Sequence, residues 1–161
     1  TVLADNIIFT CYTEIISCMV GDSMSRQPRV AGEYLHIIVR GIGKQLLFED
    51  TRDNEKYLFF LKKYAAECRI TLLAYCLMEN HVHLLLTIDH CNDRGGMWAS
   101  RPTTHTLVRS LKTMVTKTIG KSIWQASYYD HVIRTQQSYF EIWQYIDENP
   151  ARWREDEFYL P

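Results

Sequence analysis

The stretch ITLLAYCLMENHVHLLLTI, residues 70–88, constrains this chain more than any other. Two apolar runs, ITLLAYCLM (70–78) and HVHLLLTI (81–88), are separated only by Glu79-Asn80. So short a link, made of turn-forming residues, leaves room only for an antiparallel hairpin. The remaining elements add to it. YLHIIVRG, from Tyr34, reads as a strand ended by Gly41 and Gly43. Residues 51–68 carry Leu58, Leu61, Ala65 and Cys68 near helical spacing, with Thr51 or Asp53 available as a cap. Residues 91–102 read as a loop, and Leu107, Leu111, Met114, Val115, Thr118 and Ile119 place a helix over 103–119. YYDHVIR (128–134) reads as a last strand, and residues 138–150 form a helix that Pro150 stops. The order β-α-β-β-α-β plus a C-terminal helix predicts an α+β fold: a ferredoxin-like antiparallel sheet with helices on one face.

A chain of 161 residues predicts one domain. Its 47% hydrophobic and 23% charged residues exclude a disordered or collagen-like class. Residues 1–23 are expected to be a leader or a misassigned start, which leaves 24–161 as the functional domain. Cys11, Cys18, Cys68, Cys76 and Cys91 are odd in number and lack CxxC spacing, so reduced thiols and a cytoplasmic setting fit better than a disulfide framework. No apolar run approaches the ~20 residues of a membrane span. With 18 basic and 19 acidic residues the net charge is −1, which by itself gives no argument for a polyanionic partner. The distribution is less even. Seven basic residues and one acidic residue lie between Arg94 and Arg134, whereas residues 141–157 hold six acidic and two basic. Arg109, Lys112 and Lys117 are therefore candidates for phosphate contacts, the alternative being an ordinary solvated helix face. Trp124, Tyr128 and Tyr129 are either base-stacking groups or side chains packed on the sheet.

Two further patterns bear on chemistry. On a strand, His81 and His83 point to one face with their Cβ atoms roughly 6–7 Å apart, and Val82 points to the other. Two imidazoles at that spacing can converge on one divalent ion, or they are two ordinary histidines at a strand start. In the last helix, Tyr139, Ile142, Trp143 and Ile146 recur at i, i+3, i+4, i+7 and should be buried. Tyr145 lies on the other, polar face, one turn from Asn149. His36 reads as a core residue of the first strand, a catalytic role being the alternative, and the role of His131 is open.

These segments together resemble a known family. MENHVHLLL after a strand, LVRSLKTMVTKTIG followed by WQASYYDHVIR, and WQYIDENPARW near the end resemble the one-tyrosine HUH transposases. Among these, the REP-associated tyrosine transposases, linked to repetitive extragenic palindromes, are the most similar. The likeness runs from about residue 30 to 160 and includes the opening strand that ends Val39-Arg40-Gly41. It implies a single-stranded DNA endonuclease and strand transferase with Tyr145 as nucleophile, forming a 5′-phosphotyrosine link. His81, His83 and Asn149 would then hold Mg²⁺ or Mn²⁺, with Glu79 and Asn80 supporting that site or Asn80 only closing the turn. Arg40, Arg109, Lys112, Lys117 and Arg134 would contact DNA. The expected partner is single-stranded or hairpin DNA, with homodimerisation left open and no membrane involved. Two other readings compete: a hairpin-binding protein with vestigial catalysis, and a metal-dependent hydrolase built on the HxH pair.

Overall fold

A computed structural model describes residues 32–89, 104–156 and 159. The expected leader, the loop at 91–102, His90, three of the cysteines (Cys11, Cys18, Cys91) and the basic residues Arg94 and Arg101 lie outside the described residues. The elements run β1 (Tyr34–Arg40), α1 (Thr51–Glu67), β2 (Ile70–Leu77), β3 (His81–Ile88), α2 (Thr104–Ile119), β4 (Tyr129–Ile133) and α3 (Gln136–Glu148). They form an α+β fold with a four-stranded antiparallel sheet in the order β2-β3-β1-β4. The Met78 N–H donates to the His81 carbonyl at 2.9 Å, closing the hairpin over Glu79-Asn80 as expected from its length.

Helix starts follow their side-chain caps. The cap of α1 is Asp50, one residue before Thr51: its Oδ1 accepts the Asp53 N–H at 3.0 Å. Asp53 is the third helical residue, and its Oδ2 accepts the Glu49 N–H at 3.2 Å, so the two carboxylates satisfy exposed amides reciprocally. Arg69, at φ 53, turns the chain out of α1 and into β2. Helix α3 starts two residues earlier than the apolar pattern indicates, because Thr135 accepts the Ser138 N–H.

The sheet buries both faces, and alternation sorts the residues between them. Leu35, Ile37 and Val39 of β1 and Val82, Leu84 and Leu86 of β3 face α1 and α2, with Leu61, Leu107 and Leu111 completing that core. Tyr34 and Leu85 face the other way, against Tyr139 and Ile146 of α3 and Trp153 beyond it. So α1 and α2 share one face, and α3 covers part of the opposite one. Strand β2 would lose this sorting by strict alternation. A register shift between Leu72 and Ala74 restores it, so that Ile70, Tyr75 and Leu77 all pack in the first core.

The end of β1 is fixed against the hairpin. The Gly41 N–H donates to the Asn80 carbonyl at 2.9 Å, and the Arg40 carbonyl accepts the Gln125 N–H at 2.9 Å. A Cβ on Gly41 would stand 2.5 Å from the Gln45 carbonyl oxygen, so only glycine permits this close approach. The result is that β1, the hairpin turn and the start of β3 are held together beneath α3.

Candidate active site

His81 and His83 lie on the α3 side of the sheet, both fully buried. Their ring centroids are 4.7 Å apart with the planes at 83°. His81 Nδ1 is 2.8 Å from Asn80 Oδ1. A carboxamide oxygen only accepts, so His81 carries its proton on Nδ1 and its Nε2 is a lone pair. His83 Nδ1 is 3.0 Å from His36 Nε2, and His83 Nε2 is buried with no hydrogen bond.

Helix α3 brings its polar face over these rings. Ile146, with no exposed surface, and Tyr139, 5% exposed, anchor the helix to the sheet. Tyr145, on the adjoining face, is half-exposed, and its ring meets that of His83 edge-on at 5.2 Å. Asn149 follows one turn later, its N–H bonded to the Tyr145 carbonyl. It is only 4% exposed, and its Oδ1 is buried without a hydrogen bond.

Asp156 completes the group. A single turn of 3-10 helix at Trp153–Glu155 returns the chain toward the site. Trp153 is buried, its ring centroid 5.6 Å from that of His81, and this contact anchors the turn. Asp156 Oδ2 accepts from the Tyr145 hydroxyl at 3.0 Å and from Asn149 Nδ2 at 3.2 Å. It stands 4.0 Å from His81 Nε2. Ligand atoms of His81, His83 and Asp156 all lie within 4.8 Å of one another. Beside them opens a cleft of about 340 Å³, lined by Tyr145, Glu148, Asn149, Arg152, Glu155 and Asp156.

The electrostatics favour neutral imidazoles. Burial pushes His81 down to about 4, with the Asp156 carboxylate opposing and the Arg40 charge adding to the shift. Burial, with help from His81 and His36, holds His83 well below the ordinary histidine range. Neutral imidazoles and a carboxylate whose ligand atoms lie this close form a donor set suited to a divalent cation, and Asn149 lines the same cleft as Asp156. Buried polar atoms without partners are unfavourable in a folded chain, and a cation among them would satisfy the acceptors together.

The structure thus brings together Tyr145, His81, His83 and Asn149, and sets Arg40 opposite His81 in the β1–β3 register. The other basic residues are elsewhere. Arg109 and Lys117 are exposed on α2, on the far side of the sheet from α3. Lys112 Nζ donates to the carbonyls of Gln125 and Ser127 at 2.7 and 3.0 Å, binding the 125–127 segment to α2. Arg134 is exposed at the end of β4. Trp124 and Tyr128 pack into the α1–α2 core, while Tyr129 is exposed beside His36. Asp156 escaped the sequence reading, and the contact of His36 with His83 was not anticipated. Asp156 has no local signature, since only the docking of Trp153 returns it. His36 shares the face of His83, which becomes visible once the β1–β3 register is known.

The chain is similar to several known proteins, one of which shares this fold. An uncharacterized protein of Haemophilus influenzae is 28% identical over 143 residues, covering 73% of this chain and 79% of that protein. The structure of a REP-associated tyrosine transposase bound to a REP hairpin superposes with a TM-score of 0.64 at 21% identity, covering 81% of this chain and 74% of that one. A crystal structure described as a putative transposase from Deinococcus radiodurans gives a TM-score of 0.49 at 18% identity, over 78% of this chain and 97% of that one. The family model for IS200-like transposases matches residues 29–149. That span opens before the first strand and closes on the asparagine at the end of α3, and the chain belongs to the IS200-like transposase family.

Proposed function

We propose that this protein cuts and rejoins single-stranded DNA, with Tyr145 as nucleophile and a divalent ion, Mg²⁺ or Mn²⁺, held by His81, His83 and Asn149. The observation that carries the proposal is the Asp156 carboxylate, which is hydrogen-bonded to the Tyr145 hydroxyl and to Asn149 Nδ2 and lies within 4.8 Å of ligand nitrogens of the two buried imidazoles. Membership of a transposase family supports DNA cleavage and joining as the class of chemistry.

The Tyr145 hydroxyl would attack the scissile phosphorus. The new bond joins the phenolic oxygen to phosphorus, the bond from phosphorus to the 3′ oxygen breaks, and that oxygen takes a proton from water at the open cleft to leave as a 3′-hydroxyl. An ordinary tyrosine has a pKa of about 10, so its proton must leave during attack. Asp156 Oδ2, already hydrogen-bonded to that hydroxyl, is the acceptor. Asn149 Nδ2 holds the same carboxylate oxygen and fixes its direction. The bound ion would neutralise charge on the phosphate oxygens. Because the phosphotyrosine conserves the energy of the broken bond, a 3′-hydroxyl can reverse the step, which makes this strand transfer and not simple hydrolysis. Tyr145 is half-exposed on an open cleft, which suits a strand entering from solvent. The hairpin bound by the REP-associated relative supports hairpin DNA as the substrate form.

The test is a labelled single strand carrying a hairpin, incubated with Mn²⁺ and separated under denaturing conditions. A covalent adduct is expected. It should vanish with Tyr145→Phe and survive Tyr139→Phe, because Tyr139 is a core residue packed edge-on against Tyr34. An undiminished adduct in Tyr145→Phe would refute the assignment and turn attention to Tyr129. Binding of the hairpin without any adduct would favour the vestigial, non-catalytic reading.

A further inference from the structure

His36, far from Tyr145 in sequence, makes a close contact with one of the two imidazoles. It is 7% exposed on β1, and its Nε2 lies 3.0 Å from His83 Nδ1. In the β1–β3 register His36 faces Leu85 and Ile38 faces His83, so the two histidines are diagonal neighbours on the same face. Their rings are close to parallel, at 17°.

Two neutral imidazoles at this distance need one donor and one acceptor, which leaves two arrangements. If His36 donates from Nε2, His83 accepts on Nδ1 and carries its own proton on Nε2. That N–H would be buried with no acceptor, and the nitrogen could not bind a cation. If His83 donates from Nδ1, its Nε2 is a buried lone pair on the ring that neighbours His81 and Asp156, and His36 holds its proton on Nδ1. Only the second arrangement leaves an atom that a cation can satisfy. His81 has the same pattern, with Asn80 Oδ1 as the acceptor of its Nδ1 proton.

We propose that His36 is a positioning residue for the metal site: as a neutral acceptor it fixes the His83 tautomer with Nδ1 protonated and keeps Nε2 a lone pair available to the cation. Partners of this kind, behind a ligand histidine, orient the ring and typically contribute 10–100-fold in metal affinity. The inference rests on the metal reading of His81 and His83 given above, and it extends that reading to a residue on another strand.

Two measurements test it. The first is the ¹⁵N spectrum of the histidines in metal-free protein at neutral pH, where His83 should show protonated Nδ1 and unprotonated Nε2. The opposite tautomer would overturn the proposal. The second is Mn²⁺ affinity, measured by paramagnetic resonance on the protein without DNA. His36→Leu, which removes the acceptor, should weaken binding about 10–100-fold. His36→Gln, whose Oε1 can accept the same proton, should recover to within about threefold of wild type. A folded His36→Leu that binds within twofold of wild type would overturn the proposal. So would His36→Gln more than tenfold weaker with a native melting curve, which also serves if His36→Leu fails to fold. His83→Ala separates the two claims: Mn²⁺ binding undiminished in that variant would remove the metal reading itself, whereas a normal His83→Ala loss beside an unaffected His36→Leu would remove only the role of His36.

Discussion

Replacing Asn149 by leucine should have opposite consequences with and without metal. In the metal-free protein Asn149 Oδ1 is buried with no hydrogen bond, an arrangement that costs about 1–3 kcal/mol. Leucine removes that atom. It also removes the bond from Nδ2 to Asp156 Oδ2 at 3.2 Å, worth about 1.5–3 kcal/mol as a hydrogen bond to a charged group. The backbone at φ −55, ψ −42 accepts leucine without strain. The two terms nearly cancel, so Tm without metal should stay within about 5 °C of wild type. At Mn²⁺ 100-fold above its dissociation constant, wild type gains about 2.7 kcal/mol, or about 5–11 °C for a domain of this size. If losing the ligand weakens binding about 100-fold, the variant at the same Mn²⁺ gains about 0.4 kcal/mol, which is about 1–2 °C. A thermal melt of both proteins, with chelator and with Mn²⁺, measures the four values. The reasoning is refuted if the variant shows the wild-type Mn²⁺ shift, because Asn149 is then no ligand. It is also refuted if the chelated variant melts more than about 10 °C lower, because Oδ1 then supports the fold.

Two other outcomes follow from the same geometry. Burial, with the His131 charge adding to it, lowers His36 to about 4, while the unfolded chain titrates near 6.5. Between those values the unfolded state binds the extra proton, so the metal-free protein loses stability as pH falls from 6.5 toward 4 and is unaffected by this group above pH 7. His36 alone should account for about 2 kcal/mol at pH 5, and urea midpoints flat from pH 7 to 5 would contradict its burial as a neutral ring. Lys112→Met removes the ammonium bonds to the Gln125 and Ser127 carbonyls and should cost about 1–3 kcal/mol in urea unfolding. If that variant instead kept its stability and changed only the salt dependence of DNA binding, Lys112 would be a phosphate contact and not a clamp.

Most of the fold was legible because its signals are local. Alternation in HVHLLLTI, helical spacing in 51–68 and the two-residue link at Glu79-Asn80 each act within a few residues, and the observed elements overlap the expected ones. The errors fall at helix starts, where one side chain decides. Asp50 caps α1 in place of Thr51 or Asp53, and Thr135 starts α3 before its apolar stripe begins. The site was legible in halves. The His81–His83 pair follows from strand alternation, and Tyr145 with Asn149 from one helical turn. Asp156 was not legible, because its position depends on Trp153 settling against His81. His36 read as core, and it is buried, but its partner is set by a β1–β3 register that no local pattern encodes.

What joins the two halves is the division of the sheet into two faces. The α1–α2 face is apolar throughout β1 and β3, and it has no reason to hold polar atoms. The α3 face carries His36, His81 and His83 in the same strands, at a density of polar groups that burial alone would disfavour. Helix α3 is anchored there by Tyr139 and Ile146, and nonetheless leaves Tyr145 half-exposed above the rings. A helix selected only to seal the sheet would set an apolar side chain over that gap. The buried acceptors and the exposed phenol are therefore stability given up in one place, and the large core on the other face is what permits it.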